Sequence, residues 1–280
     1  MQPAALIYLQ TEAAALTNSY WQMTNDPFSA NSAFRFESDD YKNCISRLNY
    51  LLTQKGFGLF TGLPGTGKTF TMRSFITGLN KNLYKVSYSA MSSLTTMDFY
   101  RGLAYGLDLE PAHKKVDLFR QIQERIMVLA KEKKVTPVFI LDEAQYLNTT
   151  ILNDLKIIFN FDMDSFRPAV VIITGLPVLS NILIKQVHEA IAQRIIVSYR
   201  FTGLTRPETE EYILSALNAA CASATVFQPA AIEAIFAGCG GSVRKLNGII
   251  STALLIGEQK SLASIDTDTV MLAMNERLAA

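Results

Sequence analysis

Gly62-Leu63-Pro64-Gly65-Thr66-Gly67-Lys68-Thr69 satisfies G-x-x-x-x-G-K-[ST] at every position. Glycines let such a loop turn back on itself, so that successive backbone N–H groups point at one anion. An apolar run, Gly56 to Thr61, leads into the loop, and Phe70, Met72, Phe75, Ile76 and Leu79 follow at helical spacing. That context predicts a strand ending at the loop and a helix beginning just after it, whose positive end faces the same anion. Lys68 would bring a mobile charge to the outer phosphates, and the Thr69 hydroxyl would ligate Mg²⁺. The expected triphosphate site is therefore Gly62, Leu63, Pro64, Gly65, Thr66, Gly67, Lys68 and Thr69, with Phe70 beside them.

Working outward, four more apolar runs occur: Leu83 to Ser89, Val135 to Leu141, Ala169 to Thr174 and Ile195 to Arg200. Helical patterns separate them. Runs of this kind read as parallel strands covered on both faces, although the Leu83 run, the least apolar, also suits a buried helix. The run through Val138-Phe139-Ile140-Leu141 ends in Asp142-Glu143. Burying charge without a partner is costly, so packing does not explain two adjacent carboxylates there. At the carboxyl edge of a parallel sheet, where ligands bind, both gain roles. Asp142 would hold Mg²⁺ through water, and Glu143 would orient and polarise the attacking water. The two motifs together predict a nucleoside triphosphatase on an α/β P-loop fold, a parallel sheet sandwiched by helices.

Beyond Arg200 the pattern becomes helical. Thr205-Arg206-Pro207-Glu208 has the form of a capping box, and helical spacing continues over 229–237, 242–258 and 266–279. The expected organisation is an N-terminal extension at 1–30, an α/β ATPase domain at 31–202 and a small all-helical lid at 203–280.

Composition narrows the class. The 280 residues are 49% apolar and 18% charged, as in a folded globular chain, and the net charge is +1. That balance excludes a highly basic nucleic-acid coat. Residues 203–280 carry five basic and eight acidic side chains, so the positive excess lies in the α/β part. Cys44, Cys221 and Cys239 lack metal-ligand spacing, and His113 and His188 lack triad or metal partners, so both are expected on the surface or on a helix. The N-terminal stretch lacks the basic flank of a signal, and no run is long enough to span a bilayer. A cytoplasmic protein without a membrane partner is expected.

With the motifs in this order, the chain resembles AAA+ ATPases from Asp26 to Ala279. The resemblance implies ATP as the nucleotide. It implies a polar sensor at the end of the strand Val170-Val171-Ile172-Ile173-Thr174-Gly175; Thr174 holds that place, where many members carry Asn. It implies an arginine finger delivered from a neighbouring subunit, placed here at Arg194 in Ala190-Ile191-Ala192-Gln193-Arg194-Ile195, with Arg200 as the rival. Gly240-Gly241-Ser242-Val243-Arg244-Lys245-Leu246-Asn247 resembles the second sensor and assigns Arg244 to the γ-phosphate. Ser242 as N-cap would put Arg244 and Lys245 in a first helical turn, where cations oppose the macrodipole unless an anion is near.

Within AAA+, the likeness is to the branch of ExeA-type ATPases and transposition helper ATPases of the MuB, TnsC, TniB and IstB kind. It is carried by Asp26-Pro27-Phe28, Gly56 to Gly62, Leu141-Asp142-Glu143-Ala144-Gln145-Tyr146-Leu147 and Thr174 to Leu179, together with the Arg194 and Arg244 motifs. Secretion members imply added membrane-spanning and cell-wall-binding parts; the chain ends at Ala280 without them, which favours transposition. The expectation is thus a regulator of DNA transposition. ATP drives a homo-oligomeric ring or helical filament on duplex DNA through non-specific backbone contacts. The assembly recruits a transposase, and hydrolysis takes it apart. The alternative is an ATP-gated protein-assembly factor of the ExeA secretion type that does not bind DNA. Lys114, Lys115, Lys131, Lys133, Lys134 and Lys156 are available to phosphates, although solvated helix surface is the plainer reading of each. Phe99, Tyr100 and Phe119 read as core, and Trp21 with Tyr20 as an anchor of the N-terminal segment. Phe28 and Phe34 lie where AAA+ relatives seat the adenine.

Overall fold

Apolar runs without polar alternation need cover on both faces. The runs from Gly56, Val135 and Ala169 receive it here, buried at nearly every position, whereas those from Leu83 and Ile195 lie at the edges and are partly exposed. The computed structural model describes residues 16–29, 32–90 and 95–279. Five strands, β1 (Gly56–Gly62), β2 (Tyr84–Ala90), β3 (Thr136–Asp142), β4 (Val170–Gly175) and β5 (Ile195–Phe201), pair in parallel in the order β2-β3-β4-β1-β5. Each bound lies within one residue of the apolar run that encodes it. The Leu83 run is the strand β2, not a helix.

Alternate side chains serve two cores. Val138, Ile140, Val170 and Ile172 face one side, with Leu48 and Leu51 of α1 (Asp39–Gln54) and Met72 and Phe75 of α2 (Lys68–Gly78). Phe139, Leu141, Val171 and Ile173 face the other. That side is covered by α3 (Thr96–Gly106), α4 (Lys115–Met127), α5 (Thr149–Ile158) and the short α6 (Val178–Leu183) and α7 (Glu189–Ala192). Phe99 and Tyr100 are buried in this core and Phe119 packs against it. His188 lies in the helical turn Gln186–His188, one of the two places expected for it, and is buried there; burial pulls its imidazole pKa below the ordinary value.

The chain packs as two units. Among the described residues, one holds 41–63, 67–90 and 95–201; the other gathers 16–29 and 32–40, the loop residues Pro64–Thr66, and 202–279. In the second unit the helices α8 (Arg206–Ala219), α9 (Pro229–Cys239), α10 (Val243–Gln259) and α11 (Thr267–Ala279) follow one another. Its α8 opens on the full capping box between Thr205 and Glu208. Asp40 accepts hydrogen bonds of 2.8 Å from the backbone N–H groups of Thr202 and Gly203.

Packing groups 16–29 and 32–40 with the helices. Trp21 is buried and donates from Nε1 to the carbonyl of Leu254, as its anchoring role requires. Phe28, Phe34 and Phe36 surround the Tyr212 ring at centroid distances of 6.4, 5.5 and 5.5 Å. Phe28, at 2% exposure, is core of this unit, which removes it as an adenine platform.

Candidate active site

The register of the sheet sets the site. Phe60 pairs with Thr174, and Leu141 with Ile173, so Thr61, Asp142 and Thr174 arrive together at the carboxyl edge. Immediately beyond β1 the chain forms the loop, and Gly67, at φ +94°, serves as N-cap of α2. Lys68 opens that helix, is buried, and donates from Nζ to the carbonyls of Gly62 (2.6 Å) and Leu63 (2.9 Å). Thr69 is exposed in the first turn, and Phe70 lies half-buried with its ring 5.9 Å from that of Tyr41.

The tip of the loop belongs to the helical unit. Val243 donates its N–H to the Gly65 carbonyl at 2.9 Å, and Ser242 Oγ donates to the Pro64 carbonyl at 3.3 Å. Ser242 also caps α10 by accepting from the N–H of Lys245, so Arg244 stands in the first turn, exposed, as the sequence predicts. Gly65 has φ +79°, and a Cβ on it would lie 2.4 Å from Ser242 Oγ and 2.9 Å from Arg244 Cβ. Gly65→Ala is therefore expected to lower the unfolding free energy by at least about 1–2 kcal/mol, the cost of a left-handed alanine alone. A urea midpoint unchanged at constant slope would show that the tip tolerates a side chain.

Asp142 is 4% exposed, and both of its carboxylate oxygens accept hydrogen bonds. Its Oδ1 accepts from the backbone N–H of Glu143 (2.9 Å) and from Thr174 Oγ1 (3.2 Å), and its Oδ2 accepts from Tyr88 Oη (2.8 Å). A carboxylate offers about four acceptor directions, so among the described residues one remains on Oδ2. Partial desolvation and then the Asp142 bond push the Tyr88 hydroxyl up to about 12, which keeps it a donor at neutral pH. Tyr88 is a site residue that sequence reading missed. Glu143 is held at φ 56° and ψ 35°, a left-handed conformation that non-glycine residues rarely adopt. Its Oε2 accepts from Gln145 Nε2 at 2.6 Å, and Gln145 Oε1 accepts from the Leu176 N–H at 3.0 Å.

The structure brings Asp142 and Thr174 together and keeps Arg194 apart. Ile195 pairs with Phe57 at the opposite end of β1, whereas Phe201 pairs with Gly62. Arg194 thus lies about 20 Å along the strands from its own loop, at about 3.3 Å per residue. Its guanidinium donates to the Lys156 carbonyl. Arg200 is exposed and level with Thr61, at the loop's own edge. Of the six lysines, Lys115 pairs with Asp154 at 2.7 Å and Lys131 with Asp162 at 3.8 Å; Lys114, Lys133, Lys134 and Lys156 are exposed.

Known proteins share parts of this sequence and this fold. The family described as AAA domain matches residues 51–183. General secretion pathway protein A of Aeromonas hydrophila is 28% identical over 264 residues, covering 92% of this chain and 48% of that protein. The chain therefore spans about half the length of the curated relative it matches. Among solved structures, Cdc6p from Pyrobaculum aerophilum superposes with a TM-score of 0.68 at 17% identity, over 89% of this chain and 70% of that one. Drosophila ORC bound to DNA gives a TM-score of 0.69 at 16% identity, over 96% of this chain and 66% of that one. Among the described residues no helix is long and apolar enough to cross a membrane. Residues 51–183 match the AAA domain, and the chain has the fold of an AAA+ P-loop NTPase, a parallel five-stranded sheet flanked by helices with a helical C-terminal region.

Proposed function

We propose that the chain is a Mg²⁺-dependent ATPase that uses ATP binding to assemble copies of itself on a protein partner, in the manner of a secretion-associated assembly factor. The observation that carries the ATPase reading is the shared carboxyl edge holding the phosphate loop, Asp142, Glu143 and Thr174. Binding is the work of Gly62 to Phe70, with Lys68 as the charged contact and Arg244 beside the tip. Glu143 orients the attacking water and accepts its proton. Thr174 positions Asp142.

The donor set fits magnesium. Thr69 and Asp142 offer hard oxygens, the ligands this ion selects, and the open direction on Asp142 Oδ2 suits contact through water. Among the described residues no group of three or more His, Cys, Asp or Glu gathers into a site of its own. That suits a metal that arrives with phosphates and keeps its waters. When bound, the ion neutralises charge on the phosphates.

The choice of partner rests on the secretion relative, which matches 92% of this chain. The transposition expectation leaned on the end at Ala280, and that carries no weight where the chain spans about half of its relative. The pairing of Lys115 and Lys131 with carboxylates also reduces the charge available to a DNA backbone. Calorimetry with ATP and Mg²⁺ is expected to show binding to the wild type and none to Lys68→Ala. ATP-loaded protein is expected to show no salt-dependent retention on duplex DNA. Retention that falls steeply with salt would return the reading to a regulator on DNA that recruits a transposase, and absence of nucleotide heat would end the ATPase reading.

A further inference from the structure

We infer that Gln145 is a positioning residue, which fixes the Glu143 carboxylate for water activation and ties it to the end of β4. The inference rests on the hydrolytic reading above and adds a residue to it.

The geometry is specific. Gln145 sits in the short turn Ala144–Tyr146 that follows Glu143. Its two amide atoms face two different elements: Nε2 donates to Glu143 Oε2, and Oε1 accepts from the first backbone N–H beyond β4, that of Leu176. No rotation of the amide can exchange these roles. A backbone N–H only donates and an ionised carboxylate only accepts, so the flipped amide would lose both bonds. The packing around Gln145 is equally selective. A Cβ on Gly175 would lie 2.3 Å from Gln145 Oε1, so the bridge needs a residue without a side chain at that position.

The bridge also explains how Glu143 keeps its left-handed backbone. Such conformations cost of order 1–3 kcal/mol and persist where surrounding contacts over-determine them. The Glu143 N–H donates to Asp142 Oδ1, its carbonyl accepts from the Tyr146 N–H at 3.1 Å, and its carboxylate accepts from Gln145. With Oε2 held, Oε1 is the oxygen left to a water. The ends of β3 and β4 are consequently joined twice, by Thr174 to Asp142 and by Leu176 through Gln145 to Glu143. Any shift of β4 at its carboxyl end moves the carboxylate that acts on water.

Steady-state hydrolysis by purified full-length variants tests the role. Gln145→Ala and Gln145→Glu are each expected to lower kcat by about 10–100-fold, the scale of a misplaced catalytic group, while KM for ATP and the thermal midpoint stay close to wild type. Gln145→Glu keeps the acceptor for Leu176 but sets a carboxylate against Glu143, so its loss separates positioning from simple packing of the turn. Gly175→Ala is expected to reproduce the loss by displacing the amide. The double variant Gln145→Ala/Gly175→Ala is expected to be no slower than Gln145→Ala alone, because the 2.3 Å contact with the amide is then gone and the nearest remaining atom, Leu179 Cδ2 at 3.2 Å, need give by only a few tenths of an ångström. An unchanged kcat in both Gln145 variants, or losses that multiply in the double variant, would overturn the positioning role while leaving the ATPase intact. A wild type that binds ATP and does not hydrolyse it would overturn the hydrolytic reading first, and this one with it.

Discussion

Glu143→Gln is expected to bind ATP within a few-fold of wild type and to hydrolyse it about 10²–10⁴-fold more slowly, the range for loss of a positioned general base. The reason is local. The substituted amide keeps the length of the side chain and can still accept from Gln145 Nε2, so the bridge to Leu176 survives. What it loses is the negative charge that draws a proton from water. The neighbouring Asp142 cannot replace it, because Thr174, Tyr88 and the Glu143 N–H already occupy three of its acceptor directions. Since the loop and Lys68 are untouched, the ATP-bound state forms and persists. If ATP binding drives assembly, this variant accumulates the assembled form. Single-turnover hydrolysis and sedimentation with ATP measure the two effects separately. Turnover near wild type would show that another group orients the water.

The parts of this site differ in how far the sequence discloses them, and the difference is physical. Strands buried on both faces must be apolar throughout, so the central β1, β3 and β4 stand out as runs, while the edge strands β2 and β5 carry polar, exposed positions and show more weakly; the hydrogen-bonded register shifts β2, β3 and β4 by one residue from those runs. The phosphate loop and the Asp142-Glu143 pair are contiguous, and local chemistry suffices to read them. Tyr88 and Gln145 escape because their partners are 54 and 31 residues away and meet them only through the pairing of β2, β3 and β4. Nothing in the residues around Tyr88 marks it. Gln145 lies in plain view two positions after Glu143, and its role appears only once Leu176 is beside it. The N-terminal segment is a similar case. Phe28, Phe34 and Phe36 are near neighbours in the chain, but the Tyr212 ring that receives all three lies nearly two hundred residues on. The family expectation for Phe28 therefore pointed to adenine instead.

Arg194→Ala is expected to bind ATP and to lose about 10³–10⁵-fold in turnover, the effect of removing an arginine that neutralises charge on a transferring phosphoryl group. The strand register makes the prediction sharper than the motif alone. Arg194 precedes β5 at the end level with Phe57, about 20 Å from its own loop, too far for any side chain to span. Charge neutralisation by Arg194 can then come only through a second copy placed with its loop against this edge. Mixing tests this directly. Arg194→Ala retains a working loop, and Lys68→Ala retains the arginine, so a heterologous interface between the two is complete. Equal mixing should restore activity at about a quarter of interfaces, if copies associate at random. Arg200→Ala provides the contrast, since Arg200 lies level with Thr61 beside its own loop. If Arg200 serves that loop, its loss cannot be repaired by Lys68→Ala. The bond from Arg194 to the Lys156 carbonyl offers a structural role as the competing explanation, and thermal midpoints address it. A midpoint lowered in proportion to the lost turnover, with no recovery on mixing, would make Arg194 a packing residue and leave the edge without a finger.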